Sequence, residues 1–558
     1  MASSYLTLWQ TGSSTTIGGT LVKRTAFGLA IILLLAATLR LWGLDYGLPH
    51  PLSRPDEERI VGRAQTIFAT GDWHPGSFYY PSLLFYLDTA ALEVYYGVQK
   101  MRGRYARPFD FLFDIAVTHP GLHYLIGRWV GALAGSLTVL VVFFLGTAVS
   151  RSRTVGLVAA LFLAVCHLHV RESHFATVDV VMTLFVTVSL LFAVRASSRP
   201  TIFNYVFAGF FAGLAASTKY NAGIVVLSLL AASHFAHRES KLDERGVFAR
   251  LAVAALVAAG AFAVTSPYVL LRYEGFLSNM SGLSAFLYER QGGLALWGHL
   301  KTTLPAGLGW PLFLASVAGL ARALWLRRPG DVVLLAFAIP YFVLVSGVRV
   351  TFPRYVVPIV PVLVILAGLA VDLVHQAASR YRAAALTAAT LVLATPTLVS
   401  SVRYDRVASE KDTRVLAADW IAANVAPQSR ILVCRGYGAP HVNEDRRRPP
   451  AFVVREIDCD TPDDADAYLV THEHEQLTRF SNLSPVFSSW LDANASLRAV
   501  FDPYRKGSET EPVFYRADAF YIPIAGYDAV VRGGPIVKIW RLPQSARSSE
   551  RHGAAAPR

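Results

Sequence analysis

From about residue 20 to residue 402 the chain is a succession of apolar runs separated by short polar stretches. Many runs approach about 20 residues, the length a helix needs to cross roughly 30 Å of hydrocarbon. Of the 558 residues, 53% are hydrophobic and only 16% charged, against about 25% charged in a soluble domain. The pattern is that of a polytopic α-helical membrane protein, and the rule that counts soluble domains by length applies only to its tail. The formal net charge of +13 does not indicate a nucleic-acid partner. The basic residues fall in short clusters between apolar runs, and no basic stripe or nucleic-acid module is present.

Those clusters orient the chain. Residues 1–20 are rich in Ser, Thr and Gly and are expected to be disordered. Lys23-Arg24 precede the first apolar run, 27–44, and put the N-terminus inside. A secretory signal is the alternative, but no small-residue cleavage site follows the run. Residues 45–123 then form a long first outer loop. Within it, Pro81–Gly97 carries Asp88 and Glu93, which suit a helix lying in the membrane interface better than a span. With that assignment Arg151 and Arg153, Arg195–Arg199, His237–Arg250, Arg327-Arg328 and Arg380–Arg382 all fall inside, and the remaining runs give about eleven spans. A second outer loop lies between Leu271 and Thr303, read as a surface helix and a glycine hinge.

The composition changes at Arg403. Residues 403–542 are long enough for a domain, which the same count places outside. Val415–Val425 reads as an amphipathic helix. Ile431–Cys434, Phe452–Ile457, Ala467–Val470 and Ile536–Leu542 read as short strands of an α/β domain. No Gly-rich phosphate loop accompanies them. Residues 543–558 read as a disordered tail. Cys166 sits in an apolar run. Cys434 and Cys459 lie in the outer domain, where a disulfide is permitted but not required.

Polar residues gather at the outer face. The densest set is Asp56-Glu57-Glu58 with Asp72 and His74 in the first loop. Arg171, Glu172, His174 and Asp179 lie between two spans. Lys219 and Arg354 lie at later outer turns. Attack by a hydroxyl or amine on an activated sugar needs a base, a role open to Asp56 or Glu57 backed by Arg54. A phosphate leaving group needs cations, which Lys219, Arg354 or Arg171 could supply. The same acids would also cap the helix expected over Glu57–Ala69. His167, His169 and His174 are loosely spaced for a metal, and His472 and His474 read as solvated loop residues.

Several motifs in order strengthen this reading: Asp56-Glu57; His74-Pro75 with Tyr79-Tyr80-Pro81; Gly127-Arg128-Trp129-Val130-Gly131 through Gly135; Asp179; Lys219-Tyr220-Asn221; and Phe352-Pro353-Arg354-Tyr355 running to Pro361. Together they resemble the C-type-fold membrane glycosyltransferases that use a phospholipid carrier. Protein O-mannosyltransferases and the lipid A aminoarabinose transferases belong to that branch. The resemblance covers roughly residues 25–430. It implies a hexosyl or pentosyl donor on a polyprenyl phosphate and inverting transfer to a lipid, glycan or protein acceptor at the outer face of the plasma membrane. It implies Asp56 as general base and Asp179 as a second acid beside Glu57. It implies Lys219 and Arg354 toward the donor phosphate; Arg171 is a further candidate there from its position in the chain, and His74, His174 and Tyr80 are supporting candidates. The branch contains metal-dependent and metal-independent members, so no cofactor is obligatory and a divalent metal stays open. The chain departs from the protein mannosyltransferases in having Gly76 after Pro75, and in lacking their additional binding domain. A lipid or polysaccharide transporter is the alternative function. It would place ions near mid-membrane in paired, interrupted helices.

Overall fold

The computed structural model describes residues 14–288, 293–378, 381–442, 452–459 and 467–543. The expected tail beyond 543 and most of the glycine hinge lie outside these residues. At the N-terminus the first helix, Ser14–Leu41, begins inside the stretch expected to be disordered.

Each of the eleven apolar runs contains a helix, and the helices follow one another up and down. Seven described helices are long and apolar enough to cross a membrane. An eighth span results if the bent pair Ala295–Leu308 and Trp310–Leu326 is counted as one. Arg153–Val165 and Ile202–Thr218 are apolar but shorter. At 1.5 Å per residue their 13 and 17 residues rise about 20–26 Å, less than a bilayer core. The protein is a multi-pass membrane protein. Among the described residues the basic clusters 195–199 and 237–250 meet, Arg250 Nε donating to the Pro200 carbonyl at 2.8 Å, while the first loop, the 166–177 segment, Lys219 and Arg354 gather together elsewhere in the bundle.

Close packing of one glycine-lined helix face against a turn sets that second region. On the helix Leu122–Ser150, Gly127, Gly131 and Gly135 share one face, four residues apart. A Cβ on Gly131 would lie 2.5 Å from the carbonyl oxygen of Phe175, and one on Gly135 would lie 2.3 Å from Ser173 Oγ. The glycines let the turn 173–176 lie directly on the helix. That turn connects the short helix His167–Glu172 to Val178–Ser198, the span that begins with Asp179.

In the first loop, Glu57–Thr70 and Leu83–Met101 form two helices packed against each other and against the bundle. Leu83–Met101 is not among the helices apolar enough to span. Asp88 faces the interior and Glu93 faces out. In the second loop Tyr273–Tyr288 is a helix with no buried residue.

Residues beyond the last long helix, Arg382–Ala408, build a five-stranded mixed sheet. Its strands are β1 (Arg430–Cys434), β2 (Val453–Ile457), β3 (Tyr468–Glu473), β4 (Ser496–Phe501) and β5 (Ile536–Arg541), in the order β2-β1-β3-β5-β4. The β1–β2 and β1–β3 pairs are parallel and the others antiparallel. Cys434 and Cys459 form a disulfide at the end of the β1–β2 pair. The helix Thr413–Asn424 covers one face. Strand β4 is an edge strand with exposed Leu497 and Val500, and its alternation is too weak to read from sequence.

His472 and His474 are buried in this domain, not solvated as their sequence context suggests. The strand β3 carries His472 inward, where its ring nitrogens meet Ser481 Oγ at 3.0 Å and the Cys434 carbonyl at 3.1 Å. Burial pushes both imidazoles down to about 4. An unfolded histidine titrates near 6.5, so the unfolded chain binds more protons between about pH 6.5 and 4. Stability is therefore full above that window and falls as the pH drops through it, by about 2 kcal/mol per histidine at pH 5. Hydrogen exchange of β1, β3 and β5 in detergent should show lost protection between pH 7 and pH 5, and His472→Gln should reduce the loss. Equal protection at both pH values would refute the assignment.

Candidate active site

Asp56 stands immediately before the helix Glu57–Thr70 and adopts a left-handed conformation, φ 75° and ψ −18°. For a residue with a Cβ this costs about 1–2 kcal/mol. Its side chain makes no cap to the helix. Instead one carboxylate oxygen accepts from Arg354 Nη2 at 2.7 Å and from the Tyr80 hydroxyl at 3.2 Å. Sequence reasoning left cap and site as compatible roles, and the geometry separates them. The acids that begin the helix proper are Glu57 and Glu58, while Asp56 is turned toward a cavity.

That cavity has a volume of about 600 Å³. Asp56, Arg59, Tyr80, Lys219, Arg354 and Tyr355 form its polar side. Its other side is apolar. The helix Tyr273–Tyr288 contributes Met280, Leu283 and Phe286, and the end of Pro329–Ser346 contributes Leu344 and Val345. The loop helix is attached through Asn279, whose Oδ1 accepts from the Phe78 amide at 2.7 Å.

Behind the polar side the charges form a continuous set. Lys219 Nζ donates to Asp179 Oδ1 at 2.7 Å and lies 4.3 Å from the Tyr355 ring centroid. Arg354 Nε is 3.9 Å from the other Asp179 oxygen. Arg354 Nη1 also donates to Asp518 of the C-terminal domain at 3.3 Å. Asp518 takes a further bond at 2.7 Å from Arg54, which donates to Glu172 at 3.0 Å. Burial works to raise the Asp518 pKa, but Arg54 and Arg354 hold it below the usual carboxylate range. Burial pushes the Tyr80 phenol well up, aided by the Asp56 charge, so its hydroxyl stays a donor. Burial and the neighbouring Asp56 and Glu57 charges push Glu58 up to about 7.

The structure thus brings Asp56, Tyr80, Lys219 and Arg354 to one cavity, with Asp179 directly behind them. It does not bring Glu57, Arg171, His174 or His74 to its lining. Glu57 points away from the cavity and is held by Arg128 through two bonds of 2.8 and 2.7 Å, both side chains fully buried. It also accepts from the Ala176 amide at 2.9 Å. Arg171 pairs with Glu172, and its guanidinium lies 4.6 Å from the Phe520 ring centroid. His174 reaches the Trp42 carbonyl at 3.0 Å. His74 packs edge-on against Phe78 and Tyr268 on the loop.

His167 and His169 also diverge, toward Tyr527 at 2.9 Å and Arg40 at 2.9 Å. Among the described residues no group of three His, Cys, Asp or Glu side chains is placed to hold a metal ion. Sequence reasoning missed Arg59 and Asp518. Arg59 was accessible through helical spacing, three residues from Asp56. Asp518 carried no sequence signal.

Up-and-down helices, a two-helix first loop and a small α/β domain at the same end make up a C-type fold. Among solved structures the chain is similar to ArnT from Cupriavidus metallidurans, at 16% identity and a TM-score of 0.53, covering 93% of this chain and 98% of that one. A second ArnT structure, bound to undecaprenyl phosphate, aligns at 17% identity and a TM-score of 0.47 over 92% of this chain and 97% of that one. The oligosaccharyltransferase of Archaeoglobus fulgidus aligns at 15% identity with a TM-score of 0.49 over 73% of this chain, which spans 62% of that longer protein. Residues 69–272 match the family model described as dolichyl-phosphate-mannose-protein mannosyltransferase. A search of curated proteins returns no match.

The Glu57–Arg128 pair makes its own prediction. Arg128→Ala leaves a buried carboxylate without its counter-charge and should cost about 3–5 kcal/mol. Thermal unfolding in detergent, followed by tryptophan fluorescence, checks it. An unchanged midpoint would show that the pair does not hold the loop.

Proposed function

We propose that this protein is a membrane glycosyltransferase that moves a sugar from a polyprenyl-phosphate donor to an acceptor at the outer face of the plasma membrane. The observation that carries the reading is the two-sided cavity. A floor of Asp56, Arg59, Lys219 and Arg354 faces a wall of Met280, Leu283, Phe286 and Leu344. Such a site fits a ligand with an anionic head and a hydrocarbon tail. The family model matched by residues 69–272 names a dolichyl-phosphate donor, which supports the same ligand class. The transporter alternative calls for ions near mid-membrane in paired broken helices, and here the ions sit at one end of the bundle.

In this reading the acceptor hydroxyl or amine attacks the anomeric carbon from the face opposite the phosphate. Its proton passes to Asp56, the new bond forms at C1, and the bond from C1 to the phosphate oxygen breaks. The configuration inverts, and the polyprenyl phosphate leaves with the electron pair. Tyr80 and Arg354 fix the Asp56 carboxylate. Lys219 already shares its charge with Asp179, and Arg354 with Asp56 and Asp518. Arg59 lines the cavity with no carboxylate within 4.0 Å among the described residues. It is the cation most available to the donor phosphate, with Lys219 adjoining.

Asp56→Asn keeps the shape of the side chain and removes its basic lone pair. Transfer by purified protein should fall at least about 100-fold while the unfolding midpoint stays in place. Full transfer by that variant would remove Asp56 from the base role. Arg59→Ala should raise the donor KM about tenfold with a smaller change in kcat, consistent with loss of one charge-assisted contact. Mass spectrometry of envelope glycans and lipids, with and without the protein, identifies the sugar and acceptor. No missing glycoform would count against the whole reading.

A further inference from the structure

The C-terminal domain touches the ion set behind the cavity through Asp518, which meets the cavity-lining Arg354. The segment between Tyr515 and Phe520 leaves the sheet and inserts against the bundle. Tyr515 bonds to Thr303 through its hydroxyl at 2.5 Å. Phe520 is buried, with the Arg54 guanidinium 4.8 Å from its ring centroid. Between these two anchors Asp518 is 3% exposed, and one of its oxygens receives both Arg54, at 2.7 Å, and Arg354, at 3.3 Å.

We propose that Asp518 is a positioning residue of the transfer site, so that the C-terminal domain completes that site rather than merely covering it. The inference rests on the cavity being the site of sugar transfer. Arg354 is pulled from two sides, by Asp56 on the cavity floor and by Asp518 behind it. Without Asp518 the guanidinium has one strong partner left within 3.5 Å, the carboxylate of Asp56. The two would close into a tighter pair. Arg354 would then be less available to a phosphate, and Asp56 would be less available to the proton of the acceptor. Asp518 holds Arg354 in a shared position from which both groups can act. Arg54 and Glu172 continue the chain inward and keep Asp518 in place.

The test uses the full-length protein in detergent with undecaprenyl phosphate as probe. For Asp518→Asn, the Kd for the probe should rise about tenfold and kcat should fall about tenfold per folded molecule. Asp518→Glu keeps the charge and moves it by one methylene, so it should fold and give an intermediate loss. Tyr515→Phe loosens the same segment without touching the ion chain. It should lower the unfolding midpoint and leave Kd and kcat at the wild-type level. Wild-type Kd and kcat in folded Asp518→Asn and Asp518→Glu overturn the proposal. Equal losses in Tyr515→Phe also overturn it, by reducing the effect to docking of the segment. A wild-type protein that binds the lipid phosphate but transfers no sugar refutes the reaction assigned above and leaves the binding arm to decide on Asp518. A wild-type protein that binds no lipid phosphate refutes both.

Discussion

A single ion pair out of reach of water governs the geometry of this protein's polar end. Glu57 and Arg128 meet through two hydrogen bonds, and Arg128 also donates to the carbonyls of Leu44 and Tyr46 and to Ser53 Oγ. Four parts of the chain therefore converge on one guanidinium: the end of the first helix, the start of the first loop, the helix behind Asp56, and the glycine-faced helix. Burying two charges is expensive, and such a pair is poor evidence for net stability. Its effect is on specificity, because few arrangements satisfy every donor of that guanidinium at once. With Glu57 turned inward, Asp56 one residue earlier is directed outward, and its left-handed backbone is the cost of that reversal.

The same logic of shared charge extends across the site. Lys219 and Asp179 pair, Arg354 is divided among three carboxylates, and Arg54 bridges Asp518 and Glu172. Near-neutral sets of this kind keep ions tolerable in an apolar setting while leaving Asp56, Lys219 and Arg354 on the cavity lining. The arrangement also assigns the C-terminal domain a place. Beyond its own sheet and disulfide, it packs onto the first loop and the 167–172 helix through Tyr46–Asp412, Arg54–Asp518 and His167–Tyr527.

Much of this was legible in the sequence, for identifiable reasons. Apolar runs are strong, local signals: each of the eleven contains a helix, seven or eight of them long and apolar enough to span, and Leu83–Met101, with its two acids, is not among those. Four of five strands were visible because their residues are apolar and β-branched, while β4 is an exposed edge strand whose apolar residues follow no clear alternation. Asp56, Lys219 and Arg354 were found because acids and bases next to apolar runs stand out. What stayed hidden depended on side-chain direction. Glu57 differs from Asp56 by one position, yet only the inward turn at Arg128 separates their roles. Arg171 sits in a short charged segment between two apolar runs, yet it is taken up by Glu172 and Phe520. Asp518 belongs to a contact between residues 164 positions apart in the chain, which no local pattern encodes.

The helix Tyr273–Tyr288 buries none of its side chains and yet forms half of the cavity's apolar wall. A wall without a core of its own is held by a few contacts at its rim, such as Asn279 with Phe78 and Leu287 with Arg349. A helix held by so few buried contacts is expected to open more readily than the bundle helices. The cavity is therefore rigid where charge is read and yielding where hydrocarbon is received. In the proposed reaction that asymmetry makes the site exacting about the phosphate and the sugar, and indifferent to how many isoprene units trail behind them.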